Sequence, residues 1–219
     1  MQIDFFEITL NNILLKQKVS FKTEEKNTGD YVILLHGYLH SSRCMERVKI
    51  YLEEKNFVVL NCSYPSVRHS VEQLANNFLK DFINRFCTDK RKKIHFIGHS
   101  FGSIILRKYL LNNPSLNAGK FIMICPPLRG SIWANLAKRI PVINKKFGPA
   151  INELSTSHYY SMRYIAKIVP TLVITAKYDF MVRGYNVPEE AKHRVIRSFH
   201  LMILKTKKLN EEIFDFLVS

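Results

Sequence analysis

At 219 residues, with 47% hydrophobic and 23% charged positions, the chain has enough apolar content for one sizeable core, which excludes disordered, collagen-like and linker compositions. No apolar run approaches the roughly 18 residues of a membrane-spanning helix, and Met1 to Asp4 lack the basic and apolar blocks of a secretory signal. An excess of 33 Lys and Arg over 18 Asp and Glu gives a net charge of +15; it suits anionic surfaces or substrates, but no nucleic-acid-binding module accompanies it and no nucleic-acid partner is expected.

Residues 1–30 are ambiguous: 5–10 and 19–23 could pair as strands, yet Ile3, Phe6, Leu10 and Ile13 also share a helical face. Strand-sized apolar runs then fall at 31–36, 57–62, 94–98, 120–125, 171–176 and 194–197. Several are continuous rather than alternating, as in strands covered on both faces of a parallel sheet. Helical patterns lie between them. Residues 43–54 form one; Val71, Leu74, Phe78, Phe82 and Phe86, at steps of three and four, mark a second. A more buried helix follows Ser100 and stops at Asn112-Asn113-Pro114, and 209–217 closes the series. This alternation predicts an α/β fold: a mostly parallel central sheet with helices on both faces, in a single domain spanning 1–219.

One stretch, 129–169, breaks the alternation and is expected to form a short cap over one end of the sheet. Its bases, Arg129, Lys138, Arg139, Lys145, Lys146, Arg163 and Lys167, face Glu153 alone, a local net charge of +6. Trp133, Leu136, Ile140, Val142 and Ile143 add apolar surface, so an anionic membrane surface is a candidate partner, against the plainer alternative of a cap with solvated bases. The cysteines Cys44, Cys62, Cys87 and Cys125 show neither C-x-x-C nor Cys/His ligand spacing. They read as packed thiols in a reducing compartment. With no signal or span in the sequence, the expected location is cytoplasmic, with peripheral membrane contact.

The segment with the most chemistry is Ile94 to Gly102: an apolar strand, then G-x-S-x-G over Gly98, His99, Ser100, Phe101 and Gly102, then an apolar helix. A nucleophile on so sharp a turn crowds the residues two places either side, which explains the two glycines. The turn lifts Ser100 above the sheet edge at a helix N-terminus, where developing negative charge is favoured.

Here the chain resembles the α/β-hydrolases, and among them small bacterial lipase-like serine esterases. His36-Gly37-Tyr38 after the first strand is similar to the family's oxyanion-loop pair. Pro126-Pro127-Leu128-Arg129-Gly130-Ser131 resembles its turn after the fourth strand, Asp179 with Val182 its acid turn, and Ser198-Phe199-His200 its late Ser-His segment. The likeness runs over residues 31–218 and implies ester chemistry with no cofactor.

A serine hydroxyl needs a neutral imidazole to take its proton, and the imidazole needs a carboxylate to fix its tautomer. Acids between Ser100 and the late histidines are Glu153, Asp179, Glu189 and Glu190; Asp179 alone closely follows an apolar strand. Two histidines follow it. His200, beyond the last strand, is preferred as base, and His193 is the fallback. His99 reads as a residue filling the motif, and His36 as shaping the oxyanion loop by hydrogen bonding. His40, His69, His95 and His158 show no metal-ligand spacing, and no metal is expected. The oxyanion donors are backbone N–H groups: Phe101, the residue after the nucleophile, and Tyr38, which the resemblance implies.

The sequence therefore points to a serine hydrolase cleaving a small-molecule or lipid carboxylic ester through an acyl-Ser100 intermediate. A thioesterase or acyltransferase would use the same groups. A non-catalytic membrane-surface or partner-binding module is the alternative of another class.

Overall fold

The apolar runs become the strands of one sheet. The computed structural model describes residues 6–7, 18–19, 27–67, 69–137, 149–150, 152, 154, 159–182 and 187–219. A short antiparallel ribbon pairs β1 (Phe6–Glu7) with β2 (Lys18–Val19), overlapping the two segments, 5–10 and 19–23, whose pairing competed with a helix in the sequence. The main sheet holds β3 (Tyr31–Leu35), β4 (Val58–Cys62), β5 (Ile94–His99), β6 (Ala118–Ile124), β7 (Thr171–Ala176) and β8 (Lys192–Ile196). All six are parallel, in the order β4-β3-β5-β6-β7-β8.

Helices cover both faces. They are α1 (Glu46–Glu53), α2 (Val71–Gln73), α3 (Lys80–Phe86), α4 (Phe101–Asn112), α5 (Ile132–Ala137), α6 (Tyr159–Ile168) and α7 (Lys207–Val218). A 3₁₀ turn, Ser42–Met45, leads into α1, and a π-helical stretch, Leu74–Leu79, joins α2 to α3. Ser70 starts α2 by a reciprocal capping box with Gln73, and the Thr206 hydroxyl accepts from Leu209 N–H to start α7.

The two-residue period of the strands divides the core. Tyr31, Ile33 and Leu35 pack with Phe78 and Phe82, with Ile104 and Ile105 of α4 and with Ile165 of α6. Val32 and Leu34 face the other way, against Val48 and Leu52 of α1 and Leu209, Ile213 and Phe216 of α7. At roughly 25 cal/mol per Å² of apolar area, these two layers supply the main drive for folding.

Two expectations change. The weakest strand begins at Lys192, two residues before the apolar signal, because β8 is an edge strand whose first four residues are exposed. The end of the 129–169 stretch is α6, which buries Ile165 and Ala166 in the core against α4 and so belongs to the helical layer. Lys138, Arg139, Ile140, Val142, Ile143, Lys145, Lys146, Glu153 and His158 lie outside the described residues, as do the side chains of Trp133 and Arg163. Among the described residues no helix is long and apolar enough to cross a membrane.

The chain leaves β3 toward β4 and then crosses back to β5 on the opposite side of β3. Such a reversal opens a crevice at the carboxyl ends of β3 and β5. The His36-Gly37-Tyr38 loop and Ser100 stand at those two ends.

Candidate active site

Ser100 makes the strand-to-helix turn by itself, since β5 ends at His99 and α4 begins at Phe101. Its backbone takes φ 50° and ψ −116°, a conformation that costs roughly 1–3 kcal/mol. The surroundings hold it there: Ser100 N–H donates to the Ile124 carbonyl at 2.8 Å and Ser103 N–H to the Ser100 carbonyl at 3.1 Å. A Cβ on Gly98 would lie 2.5 Å from the Ser103 nitrogen, and one on Gly102 would lie 2.4 Å from the Leu35 carbonyl oxygen. Both glycines are therefore demanded by close backbone approach. The N–H groups of Phe101 and Gly102, the first two residues of α4, have no residue four places back within the helix to accept from them and lie next to Ser100.

Across the crevice, Gly37 packs on the elbow: a Cβ there would sit 3.3 Å from Ser100 Cβ. The Tyr38 and Phe101 rings meet edge to face at 5.8 Å, so the two expected oxyanion donors come from adjoining residues. His36 is buried and hydrogen-bonded to this loop and to the one after β4. Its Nδ1–H donates to the Gly37 carbonyl at 2.8 Å, while Nε2 accepts from Tyr64 N–H at 3.3 Å. The Tyr64 ring stacks on the imidazole, and its hydroxyl donates to the His36 carbonyl at 2.5 Å. Burial pushes the His36 pKa down to about 4, so it stays neutral. Leu39 N–H donates to Ser66 Oγ, a second tie to the loop after β4. Tyr64 and Ser66 had no signal in the sequence beyond following an apolar strand.

Asp179 and His200 meet. The His200 Nδ1–H donates to Asp179 Oδ2 at 2.7 Å, and both side chains are almost wholly buried, 6% and 1% exposed. Asp179 Oδ1 accepts from Met181 N–H at 2.9 Å, so each carboxylate oxygen has a donor. The acid turn is tied to the exit of β8 by Lys177 N–H to Ile196 and Tyr178 N–H to Ser198, and to the Gly130-Ser131 turn by a Ser131–Val182 bridge. The Ser131 hydroxyl also donates to the Met181 carbonyl at 3.0 Å. These bonds put the loops after β6, β7 and β8 in fixed register.

His99 does more than fill the motif. Its Nε2–H donates to the main-chain carbonyl of His200 at 3.0 Å, and the two rings lie 5.0 Å apart. Burial, followed by the neighbouring His200, pushes its pKa down to about 3. His193, the fallback base, lies within β8, its Nε2 2.9 Å from Thr175 Oγ1 and away from Asp179's turn. Cys125, one residue beyond β6 at φ 48°, adds a buried thiol beside the acid–base pair. The potential ligand atoms of Cys125, Asp179 and His200 lie within 4.8 Å of one another, the one such group among the described residues. The carboxylate and imidazole are already engaged with each other.

Residues 42–176, more than half of the chain, match the family model described as lecithin:cholesterol acyltransferase. The chain belongs to that family. Its fold is that of the α/β-hydrolases. Among solved structures, an esterase from Exiguobacterium antarcticum superposes with a TM-score of 0.63 at 20% identity, over 88% of this chain and 93% of that one. A monoacylglycerol lipase from Paleococcus ferrophilus gives 0.63 at 16% identity, over 88% and 96%. A bromoperoxidase from Bacillus anthracis gives 0.65 at 16%, over 88% and 93%. A search of curated proteins finds no match. At these identities the structures speak for the fold, and one fold hosts several chemistries. The matched segment spans the elbow and ends before Asp179 and His200, so those two stand on their geometry.

Proposed function

We propose that the protein hydrolyses carboxylic esters through an acyl-Ser100 intermediate, with His200 as base and Asp179 as its partner. The observation that carries this reading is the buried 2.7 Å hydrogen bond between Asp179 and His200 at the sheet end where Ser100 makes its strained turn. Membership of a lipid acyltransferase family and the likeness to esterases and lipases support the ester class. In this mechanism Ser100 Oγ attacks the ester carbonyl carbon and its proton passes to His200 Nε2. Asp179 holds Nδ1–H and stabilises the imidazolium. Backbone N–H groups of Phe101 and Tyr38 receive the oxyanion; losing one such donor typically costs about 2.7–4 kcal/mol. The imidazolium then protonates the departing alkoxide, and water, activated by the same imidazole, releases the acid.

The family description favours a second reading in which an alcohol replaces water in the last step, with the same residues in the same roles. A fluorophosphonate label with peptide mapping tests both at once: modification of Ser100 is expected, and an unlabelled Ser100 in folded protein would remove the acyl-serine step. Product analysis with and without an added long-chain alcohol then separates hydrolysis from acyl transfer. A folded chain that takes no label and cleaves no p-nitrophenyl ester would instead favour a binding module.

A further inference from the structure

Large apolar side chains left in water concentrate at one place. Leu39 follows the oxyanion loop; Tyr178, Phe180 and Met181 surround Asp179; Phe199, Leu201 and Met202 surround His200. Among the described residues these seven make up half of the large exposed apolar side chains, although they come from three short loops. Phe180 is 72% exposed and Phe199 52%, and both lie outside the buried acid–base pair they flank. Three of the rings form a row, with Phe199 5.7 Å from Tyr178 and 6.3 Å from Phe180. A row of exposed rings, with four more exposed apolar side chains on the same and neighbouring loops, is uncommon on a protein surface and marks an interaction site.

The charges around it say with what. Arg43, Arg129, Lys177, Arg197 and Lys205 are exposed on the loops at this same end of the sheet. The Lys177 ammonium stands 5.8 Å from the Tyr178 ring. The described residues of these loops, from 36 to 45, 63 to 70, 125 to 131, 177 to 182 and 197 to 206, contain one acid, Asp179, already bonded to His200. An apolar centre with a cationic margin matches the acyl and headgroup layers of an anionic bilayer, with aromatic rings at the boundary. A water-facing mouth for small soluble esters would need neither feature.

We propose that this rim docks the protein on an anionic phospholipid surface, with Phe180 and Phe199 inserted below the headgroups and the five cations above them. Its use, passing a bilayer ester to Ser100, rests on the esterase reading; the docking does not. Arg47, at the start of α1 and four residues beyond Arg43, donates to the Lys205 carbonyl at 2.9 Å and ties the helix to the segment after His200.

The test is co-sedimentation of the full chain, carrying Ser100→Ala so that no lipid is consumed, with phosphatidylcholine vesicles and with vesicles of 70% phosphatidylcholine and about 30% phosphatidylglycerol, a composition that supplies the negative surface potential. At low salt, binding to the anionic vesicles is expected to exceed neutral binding by about tenfold or more and to weaken in 0.5 M salt, where the screening length is only about 4–5 Å. Phe180→Ser with Phe199→Ser should lower anionic binding about tenfold, and Lys177→Glu with Arg197→Glu should abolish the preference. Circular dichroism checks that each variant is folded. Equal binding to both vesicle types, no binding, or wild-type binding by the Phe180→Ser/Phe199→Ser protein overturns the proposal. So does self-association lost in that variant without vesicle binding, which would make the patch a protein contact. Vesicle binding with no ester cleavage by the unsubstituted chain would support docking and count against the esterase reading alone.

Discussion

The imidazole of His99 holds the main-chain carbonyl of His200 at 3.0 Å, across 101 positions of sequence. The residue before the proposed nucleophile thus carries the loop of the proposed base. Because Nε2–H is the donor, Nδ1 is left as an acceptor; it is buried and has no partner. The tautomer is fixed by the bond it makes, and the neutral form by burial.

His99→Ala should therefore misplace His200 without touching substrate. The expected outcome is a kcat lower by about ten- to a hundredfold with little change in KM, since small displacements of catalytic groups act on the chemical step. His99→Gln, whose amide nitrogen can reach the same carbonyl, should recover most of the loss. Equal damage from both would mean that the bond does not position the base.

Ser100→Ala should abolish turnover of p-nitrophenyl butyrate while leaving the fold intact. Asp179→Asn should lower kcat by about 10⁴, the size expected when the imidazole loses its tautomer partner. The Asp179→Asn/His200→Ala double variant should be little worse than either single one. His193→Ala is expected to stay within about twofold of the unsubstituted chain, because its imidazole bonds Thr175 Oγ1 within the sheet. A damaging His193→Ala with a mild His200→Ala would reverse the base assignment.

Two buried histidines give stability a pH dependence with a definite sign. His36 and His99 titrate at about 4 and about 3 in the folded chain, below the ordinary value of 6.5. The unfolded chain therefore binds more protons between pH 6.5 and those values. Their contribution is complete above pH 6.5 and is lost as pH falls toward the folded values. Between pH 6.5 and 5 each histidine should remove on the order of 1.5 kcal/mol. Urea melts at pH 7, 6 and 5 would show the slope, and His99→Gln should reduce it by about half.

The sheet was legible because its central strands are buried on both faces and read as continuous apolar runs. β8 was legible only from Arg194 onward, since Lys192 and His193 face water on an edge and carry no hydrophobic signature. α6 was hidden for a related reason: its basic and polar residues break the apolar pattern, though Ile165 lies in the core. The Ser100 turn could be read locally, since strand, glycines and helix are contiguous. Asp179 and His200 followed from chain order and strand ends. The His99–His200 bond, the Tyr64 support of His36 and the Cys125 thiol join distant segments and leave no local periodicity to read.

Gly37 and Gly102 lie on either side of the crevice and should respond differently to alanine. A Cβ on Gly102 would stand 2.4 Å and 2.6 Å from the carbonyl oxygens of Leu35 and His36, backbone at the end of a central strand. That backbone has little freedom to move, so Gly102→Ala should cost about 4 kcal/mol or more and lower the yield of folded protein. A Cβ on Gly37 meets His99 Nδ1 at 3.1 Å and Ser100 Cβ at 3.3 Å. Those neighbours yield by a few tenths of an ångström, at about 1–3 kcal/mol for overpacking. They are also the proposed nucleophile and the residue that holds the base loop. Gly37→Ala is expected to fold, to melt a few degrees lower, and to lose kcat by about a hundredfold. Thermal melts and esterase kinetics on both variants decide it: a fully active Gly37→Ala, or a stable Gly102→Ala, would show that the crevice is less tightly packed than its backbone contacts imply.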